Sequence, residues 1–272
     1  MKLALYIGKN EFLSDPRIER MIGDFEERGC VLYPVCRRED ILPDTDMLLS
    51  VGGDGTFLSA SAVLSDSEIP VAGVNLGRMG FLSENRPEDL VESVMSKDYT
   101  VENRAMLELG HCDDKNVPQD YFHALNEMSV HRSGPAMLEV EVSVDGIQLP
   151  TYWADGLVIS TSSGSTAYSL SVGGPIVLPE ARVLIISPIA PHNLNMRPLV
   201  VPDSSRIDLR IYSRDEEFVF SSDNRSMKMV SGGSFSVFVA QFSLKRVRLN
   251  RSNFINALTQ KLFWGEDVRN IK

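Results

Sequence analysis

Two apolar runs in the first third of the chain each end in a cluster of glycines. They are "DMLLSVGGDGT" (46–56) and "PVAGVNLG" (70–77). A short run with no polar alternation is expected to form a strand buried on both faces. Glycine where such a strand ends lets the backbone approach a ligand closely. Between and around these runs the pattern switches to a helical period. "SDPRIERMIGDFEERG" (14–29) has Ser14 or Asp15 to cap it, Pro16 in its first turn and Gly29 to end it. Its Ile18, Met21, Ile22 and Phe25 share one face. "GTFLSASAVLS" (55–65) and "PEDLVESVMSKD" (87–98) are further helices, and "KLALYIG" (2–8) and "VLYPV" (31–35) further strands. Strands alternating with helices predict a Rossmann-like parallel sheet covered on both faces.

Past residue 101 the pattern becomes β-rich. "LEVEVSVDGIQLPTYWADGLVIS" (138–160) alternates, with Asp145–Gly146 as a hairpin signal and a second Asp–Gly at 155–156. "VLIISPIAP" (183–191), "RIDLRIYS" (206–213), "EFVFSS" (217–222) and "FSVFVAQFSLKRVRL" (235–249) are strand-like, and "LKRVRL" (244–249) reads as a small basic solvent face. The tail "NFINALTQKLF" (253–263) is helical, with Phe254, Leu258 and Leu262 on one stripe. The expected architecture is an α/β domain over 1–100, joined by about 250–272, and a β-rich domain over 101–249. A closing helix packs back on the first, and a ligand is expected between the two.

The net charge of −10 argues against a nucleic-acid partner, which needs a basic face. Small anions remain possible ligands, because backbone N–H groups hold them whatever the net charge. Three cysteines, none in a CxxC pair, disfavour disulfides and structural zinc. His111, His123, His131 and His192 form no HxH or HxxxH pair, so no dedicated protein metal cage is expected. "HCDD" (111–114) reads as a solvated turn. No signal peptide and no run of about 18 apolar residues is present, so a cytoplasmic chain with no membrane partner is expected.

"GGDGT" (52–56) matches neither GxGxxG nor GxxxxGK[ST]. Strand, glycines and helix still favour a phosphate at the helix N-terminus. Asp54 is then the anomaly, because a carboxylate repels phosphate. It could share Mg²⁺ with the phosphates, accept a proton from a hydroxyl nucleophile, or simply cap the following helix. "NLGRMGFLSE" (75–84) ends the next strand in glycines at the same predicted edge, which is where α/β sheets bind ligands. Asn126 and Glu127 are adjacent polar residues in an apolar context, suited to ribose hydroxyls or amides or to an exposed strand edge. "STSSGSTAYSLS" (160–171) carries eight serines and threonines among twelve residues, enough to contact a nucleotide at many points. No serine there sits in the GxSxG elbow of hydrolases.

Taken in order, "GGDGT" (52–56), "NLGRMGFL" (75–82), "NE" (126–127), "DGLVISTSSGSTAYSLSVGGP" (155–175) and "RPLVVP" (197–202) resemble the ATP-NAD kinases. The resemblance implies phosphoryl transfer from ATP, or polyphosphate, to the 2′-hydroxyl of the adenosine ribose of NAD. It implies a divalent cation, Mg²⁺ foremost, and a homodimer or homotetramer. By position, Asp54 resembles the proton acceptor, and Gly52, Gly53, Gly55 and Thr56 the phosphate loop. The NAD-binding set implied is Asn75, Gly77, Phe81, Asn126, Glu127, Asp155, Ser165, Thr166, Ala167, Tyr168, Ser169, Leu170, Ser171 and Arg225. Within it Asp155 falls on the nicotinamide side, and Thr166, Ala167, Tyr168 and Ser171 line the adenine and ribose pocket. Two departures stand out. Trp153 and Ala154 occupy positions where many relatives have an arginine, and "DNR" (223–225) replaces a "DGQ"-like turn, giving Arg225 a possible contact to an extra phosphate. The other readings are a GGDG-type kinase of a different hydroxyl substrate and a dinucleotide sensor without turnover.

Overall fold

The computed structural model describes residues 1–77, 80–114, 117–118, 121–250 and 253–265. Arg78 and Met79, inside the second glycine motif, lie outside the described residues. The chain divides into two units, Met1–Asn103 with Leu244–Lys272, and Arg104–Ser243.

In the first unit the elements run β1 (Lys2–Ile7), α1 (Pro16–Glu27), β2 (Val31–Pro34), β3 (Met47–Val51), α2 (Asp54–Leu64), β4 (Val71–Val74) and α3 (Pro87–Met95). β1 pairs in parallel with β2 and β3, and β3 with β4. All residues of β3 and β4 are buried, as their unbroken apolar character requires. Leu3, Leu5, Met47, Leu49, Val51, Ala72 and Val74 project to one face and pack with Ile18, Met21 and Phe25 of α1 and Leu90, Val91 and Val94 of α3. α2 packs on β3 and β4 through buried residues that include Phe57 and Leu64. The predicted start of α1 holds: Asp15 caps it through the Arg17 amide, with Pro16 first in the helix.

The second unit follows. Its strands are β5 (Tyr99–Cys112), which begins in the first unit, β6 (His123–Ala124), β7 (Glu127–Arg132), β8 (Leu138–Val144), β9 (Ile147–Gln148), β10 (Tyr152–Ala154) and β11 (Gly156–Thr161). A one-turn helix α4 (Tyr168–Ser171) precedes β12 (Val183–Ile189), β13 (Leu199–Pro202), β14 (Ile207–Ser213), β15 (Glu217–Ser222), β16 (Arg225–Val230) and β17 (Ser234–Leu249). One antiparallel sheet runs β13-β12-β11-β7-β15-β16, and β10, β8, β14 and the first part of β17 form another. Alternate residues of the two sheets, among them Val140, Val142, Leu209, Ile159, Ile186 and Phe220, meet in one core. Asp145 and Gly146 both take positive φ, so the first Asp–Gly makes the β8–β9 hairpin. The second does not. β10 pairs with β8 while β11 pairs with β7 and β12, so Asp155 lies where the chain passes from one sheet to the other.

The last six residues of β17 and the helix α5 (Phe254–Leu262) return to the first unit. Asn253 caps α5 by accepting from the Asn256 amide. Its buried side is Ala257 and Leu258, whereas Leu262 is exposed, so the predicted stripe is narrower than expected. Arg246 corrects the solvent-face reading of "LKRVRL". It is 2% exposed and pairs with Glu84 (2.6 Å) and Glu102 (3.0 Å).

Candidate functional site

The site residues of the first unit begin at the end of β3. Gly52 sits at φ +152, and an added Cβ there would lie 2.3 Å from Thr56 Oγ1, so this glycine is required by the fold. Thr56 fills the space left by Gly8 and Gly52. Gly53 and Gly55 differ. Both are exposed, neither has positive φ, and a Cβ at either would meet nothing within 4 Å. Packing gives no reason for glycine at these two positions, which leaves bare backbone at the N-terminus of α2.

Asp54 is not a helix cap. Gly53 is the cap residue and makes no side-chain bond, and Asp54 is the first helical residue. Its carboxylate turns to the second glycine motif. Oδ2 accepts from the Phe81 amide (2.8 Å), and Oδ1 from those of Leu82 (3.1 Å) and Ser83 (2.9 Å). Gly80 permits this approach, since a Cβ there would fall 1.8 Å from Oδ1. Asn75, Gly77 and Ser83 are tied down as well. Ser83 Oγ donates to Gly52 O (2.6 Å), and Asn75 donates to Ser83 O (3.0 Å) and accepts from the Gly77 amide (2.8 Å). The Phe81 ring lies 6.0 Å from that of Phe254 and 4.8 Å below Lys261 Nζ.

In the second unit a buried carboxylate repeats the arrangement. Asp223 sits at φ +49 in the β15–β16 turn and accepts from the amides of Leu125 (2.8 Å), Asn126 (2.8 Å) and Glu127 (3.2 Å). This presents the Asn126–Glu127 pair. Thr161 Oγ1 donates to Leu125 O (2.7 Å), and Gly164 packs so closely on Asn126 O that a Cβ would sit 2.2 Å from it. Asn126 Oδ1 and Glu127 Oε2 are buried without a hydrogen-bond partner. Unsatisfied buried polar atoms are rare and call for a missing partner. Burial, and then the neighbouring Asp223, push the Glu127 carboxyl up to about 8, against a bond from the Tyr168 amide. It is therefore protonated and a donor at neutral pH. Burial likewise raises Asp223, opposed by its three amides and Arg225.

The hydroxyl-rich segment sorts into two groups. Ser165 bonds Val177 O (3.1 Å) and Ser169 bonds Ser187 (3.2 Å), both from inside. Thr166, Ala167, Tyr168 and Leu170 are half-buried and Ser171 is exposed. Tyr168 stacks on His131 with ring centres 5.5 Å apart. Asp155 pairs with Arg132 (3.1 Å), a residue no sequence signal indicated because only the β7–β11 register brings it there. The Arg225 guanidinium is 15% exposed and donates to His123 O (2.9 Å) and Ser222 O (3.2 Å). Among the described residues no three of His, Cys, Asp and Glu converge as metal ligands, and no helix is long and apolar enough to cross a membrane.

The Glu127 environment has a consequence for stability. A carboxyl whose folded pKa exceeds its unfolded value stabilises fully below the unfolded value near 4.5 and progressively less up to about 8. Each pH unit inside that window costs at most about 1.4 kcal/mol. Glu127→Gln keeps a neutral side chain and removes the loss. At pH 8 it is expected to be more stable than the parent by up to about 4 kcal/mol, with the gap closing towards pH 5. Thermal melts at both pH values check this, and equal pH slopes would refute the protonated Glu127.

Comparisons with known proteins agree with these motifs. The ATP-NAD kinase N-terminal domain family matches residues 37–97, and the ATP-NAD kinase C-terminal domain family residues 125–249. An NAD kinase of Flavobacterium psychrophilum is 41% identical over 236 residues, 85% of this chain and 80% of that one. One from Porphyromonas gingivalis is 40% identical across 98% of this chain and 93% of its own. Among solved structures, yeast NADH kinase complexed with NADH superposes with a TM-score of 0.88 at 24% identity, covering 100% of this chain and 90% of that one. An Archaeoglobus fulgidus NAD kinase in complex with ATP gives 0.76 at 25%, covering 92% and 95%. With both family domains matched in order and relatives near 40% identity along most of its length, the chain belongs to the ATP-NAD kinase family.

Proposed function

We propose that this enzyme, a phosphotransferase with an alcohol group as acceptor, transfers the γ-phosphoryl group of ATP to the 2′-hydroxyl of the adenosine ribose of NAD, giving NADP. The observation that carries the dinucleotide reading is the pair of buried, unpartnered atoms Asn126 Oδ1 and Glu127 Oε2. One is an acceptor and the other a protonated donor, a combination suited to ribose hydroxyls and an adenine amine. Thr166, Ala167 and Tyr168 add half-buried contact surface beside it, and Asp155 is assigned to the nicotinamide side.

Asp54 is the proposed proton acceptor. Oδ1 holds two amides and Oδ2 one, so Oδ2 keeps a lone pair for the hydroxyl proton. Three amides fix both oxygens, which supports orientation of the attacking hydroxyl as much as proton removal. Gly53 and Gly55 stand exposed, with space beside them, at the α2 N-terminus, where the reading puts the ATP phosphates. Phosphoryl transfer draws on positioning and charge stabilisation, and a divalent cation such as Mg²⁺ spreads the γ-phosphate charge. Mg²⁺ is commonly held by one or two carboxylates together with substrate phosphates, and Asp54 is the carboxylate that begins α2. A homo-oligomeric, cytoplasmic enzyme completes the reading.

The test is incubation of the purified protein with ATP, NAD and Mg²⁺, reading NADP through an NADP-specific dehydrogenase. NADP only when all are present supports the reading, and NADP never formed with any phosphoryl donor overturns it. Arg225 remains a proposed contact to an added phosphate. Because its guanidinium already bonds two carbonyls, Arg225→Gln should weaken NADP binding by no more than about tenfold. Calorimetric titration with NAD and NADP checks this, and identical affinities for both in parent and variant remove the contact.

A further inference from the structure

Between Gly80 and Ser83, three successive peptide units have the same surroundings. The Gly80–Phe81 unit accepts from Lys261 Nζ at its carbonyl and donates its N–H to Asp54 Oδ2. In the Phe81–Leu82 unit the carbonyl accepts from Arg246 Nη2 (3.2 Å) and the N–H donates to Asp54 Oδ1. The Leu82–Ser83 unit accepts from Arg246 Nε and Nη2 (3.4 Å each) and donates to Oδ1. A trans peptide points its C=O and N–H in opposite directions. Every dipole of this stretch therefore has a cation behind it and the Asp54 carboxylate in front. A charge at the carbonyl end strengthens the N–H as a donor, because hydrogen bonds in a chain polarise one another.

The two cations differ in what holds them. Arg246 is buried with Glu84 and Glu102 as partners and belongs to the framework. Lys261 comes from the last turn of α5 and lies over the Phe81 ring. Burial pushes its ammonium pKa down, and Glu84 and Asp54 oppose that.

We propose that Lys261 is a positioning residue for phosphoryl transfer, acting through the peptide units of Gly80–Ser83 to fix the Asp54 carboxylate, with Arg246 as the fixed second anchor. The proposal rests on the reading of Asp54 as the group at the attacking hydroxyl. It makes the C-terminal helix part of the catalytic support, although Lys261 itself touches no reacting atom.

Three variants and two readouts test it. Lys261→Met removes the charge and the hydrogen bond, Lys261→Gln keeps a donor without charge, and Lys261→Arg keeps both. With Lys261→Met, kcat should fall about tenfold to a hundredfold, the scale set by small misplacements of a reacting group. KM for ATP and for NAD should stay within about twofold of the parent, since only substrate-independent positioning changes. Arg should restore most of kcat and Gln should fall between. Hydrogen exchange should quicken at the amides of Phe81, Leu82 and Ser83 and stay unchanged in α1 and β3.

A parental kcat in Lys261→Met overturns the proposal. So does a rise in KM for ATP at constant kcat, which would make Lys261 a phosphate contact. Equal losses in all three variants with faster exchange along α5 would leave only helix packing. Asp54→Asn, assayed in parallel, separates the two readings: parental turnover there removes Asp54 from the reaction, while the exchange data still decide whether Lys261 holds the loop.

Discussion

Asp54→Asn is expected to lower turnover by about a thousandfold while NAD affinity changes little, the size of effect seen when a positioned proton acceptor is lost. Asparagine is nearly isosteric, but it is not a neutral substitution here. Aspartate accepts on both oxygens, one amide at Oδ2 and two at Oδ1. An asparagine has one accepting oxygen, so its NH₂ must face either the Phe81 amide or those of Leu82 and Ser83. Donor then meets donor, and the loop loosens by about 1–3 kcal/mol. Steady-state kinetics with a calorimetric NAD titration checks the prediction. Parental turnover would exclude Asp54 from the reaction. Loss of NAD binding with normal turnover at saturation would make it a ligand-positioning residue.

Gly80→Ala is expected to cut turnover by at least about a hundredfold in a protein that still folds, because a misplaced reacting group alone can cost that much. The added methyl would fall 1.8 Å from Asp54 Oδ1. Either the carboxylate rotates away from its three amides or the loop moves back. Both outcomes displace Asp54 relative to the amides of Phe81, Leu82 and Ser83. Gly77→Ala is the control, since its nearest neighbour would be 3.9 Å away. Circular dichroism and turnover for both variants decide the matter. Equal activity in the two would mean that Asp54 can move without consequence.

Much of this fold could be read from local pattern. The unbroken apolar runs of β3 and β4 are buried strands, and Pro16 and Asp15 mark the start of α1. Asp145–Gly146 makes its hairpin because both residues adopt the positive φ such a turn demands. Asp155–Gly156 looks the same in sequence and forms no hairpin, since partner choice for β10 and β11 is made by other strands. The resemblance grouped the motif residues into one site, and they lie on two units, Asp54 with Phe81 in the first and Asn126, Glu127 and Tyr168 in the second. What sequence reasoning missed is long-range. Arg246 and Lys261 reach the loop across 165 and 181 residues, and neither sits in a motif. A basic residue on an alternating strand reads as solvent-facing unless its buried partners, here Glu84 and Glu102, are known. The protonated Glu127 was equally invisible, because its state depends on burial and on Asp223, 96 residues away.

The acid in the glycine loop thus has a physical place. Its charge is turned towards the amides of Phe81, Leu82 and Ser83. The central claim is that the group transferred ends on the adenosine 2′-hydroxyl. The most direct measurement is phosphorus NMR of the product formed from ATP, NAD and Mg²⁺. One new phosphomonoester at the 2′ position of the adenosine ribose, absent with Asp54→Asn, is the result expected. A phosphate on any other hydroxyl, or the same product at the same rate from Asp54→Asn, contradicts it.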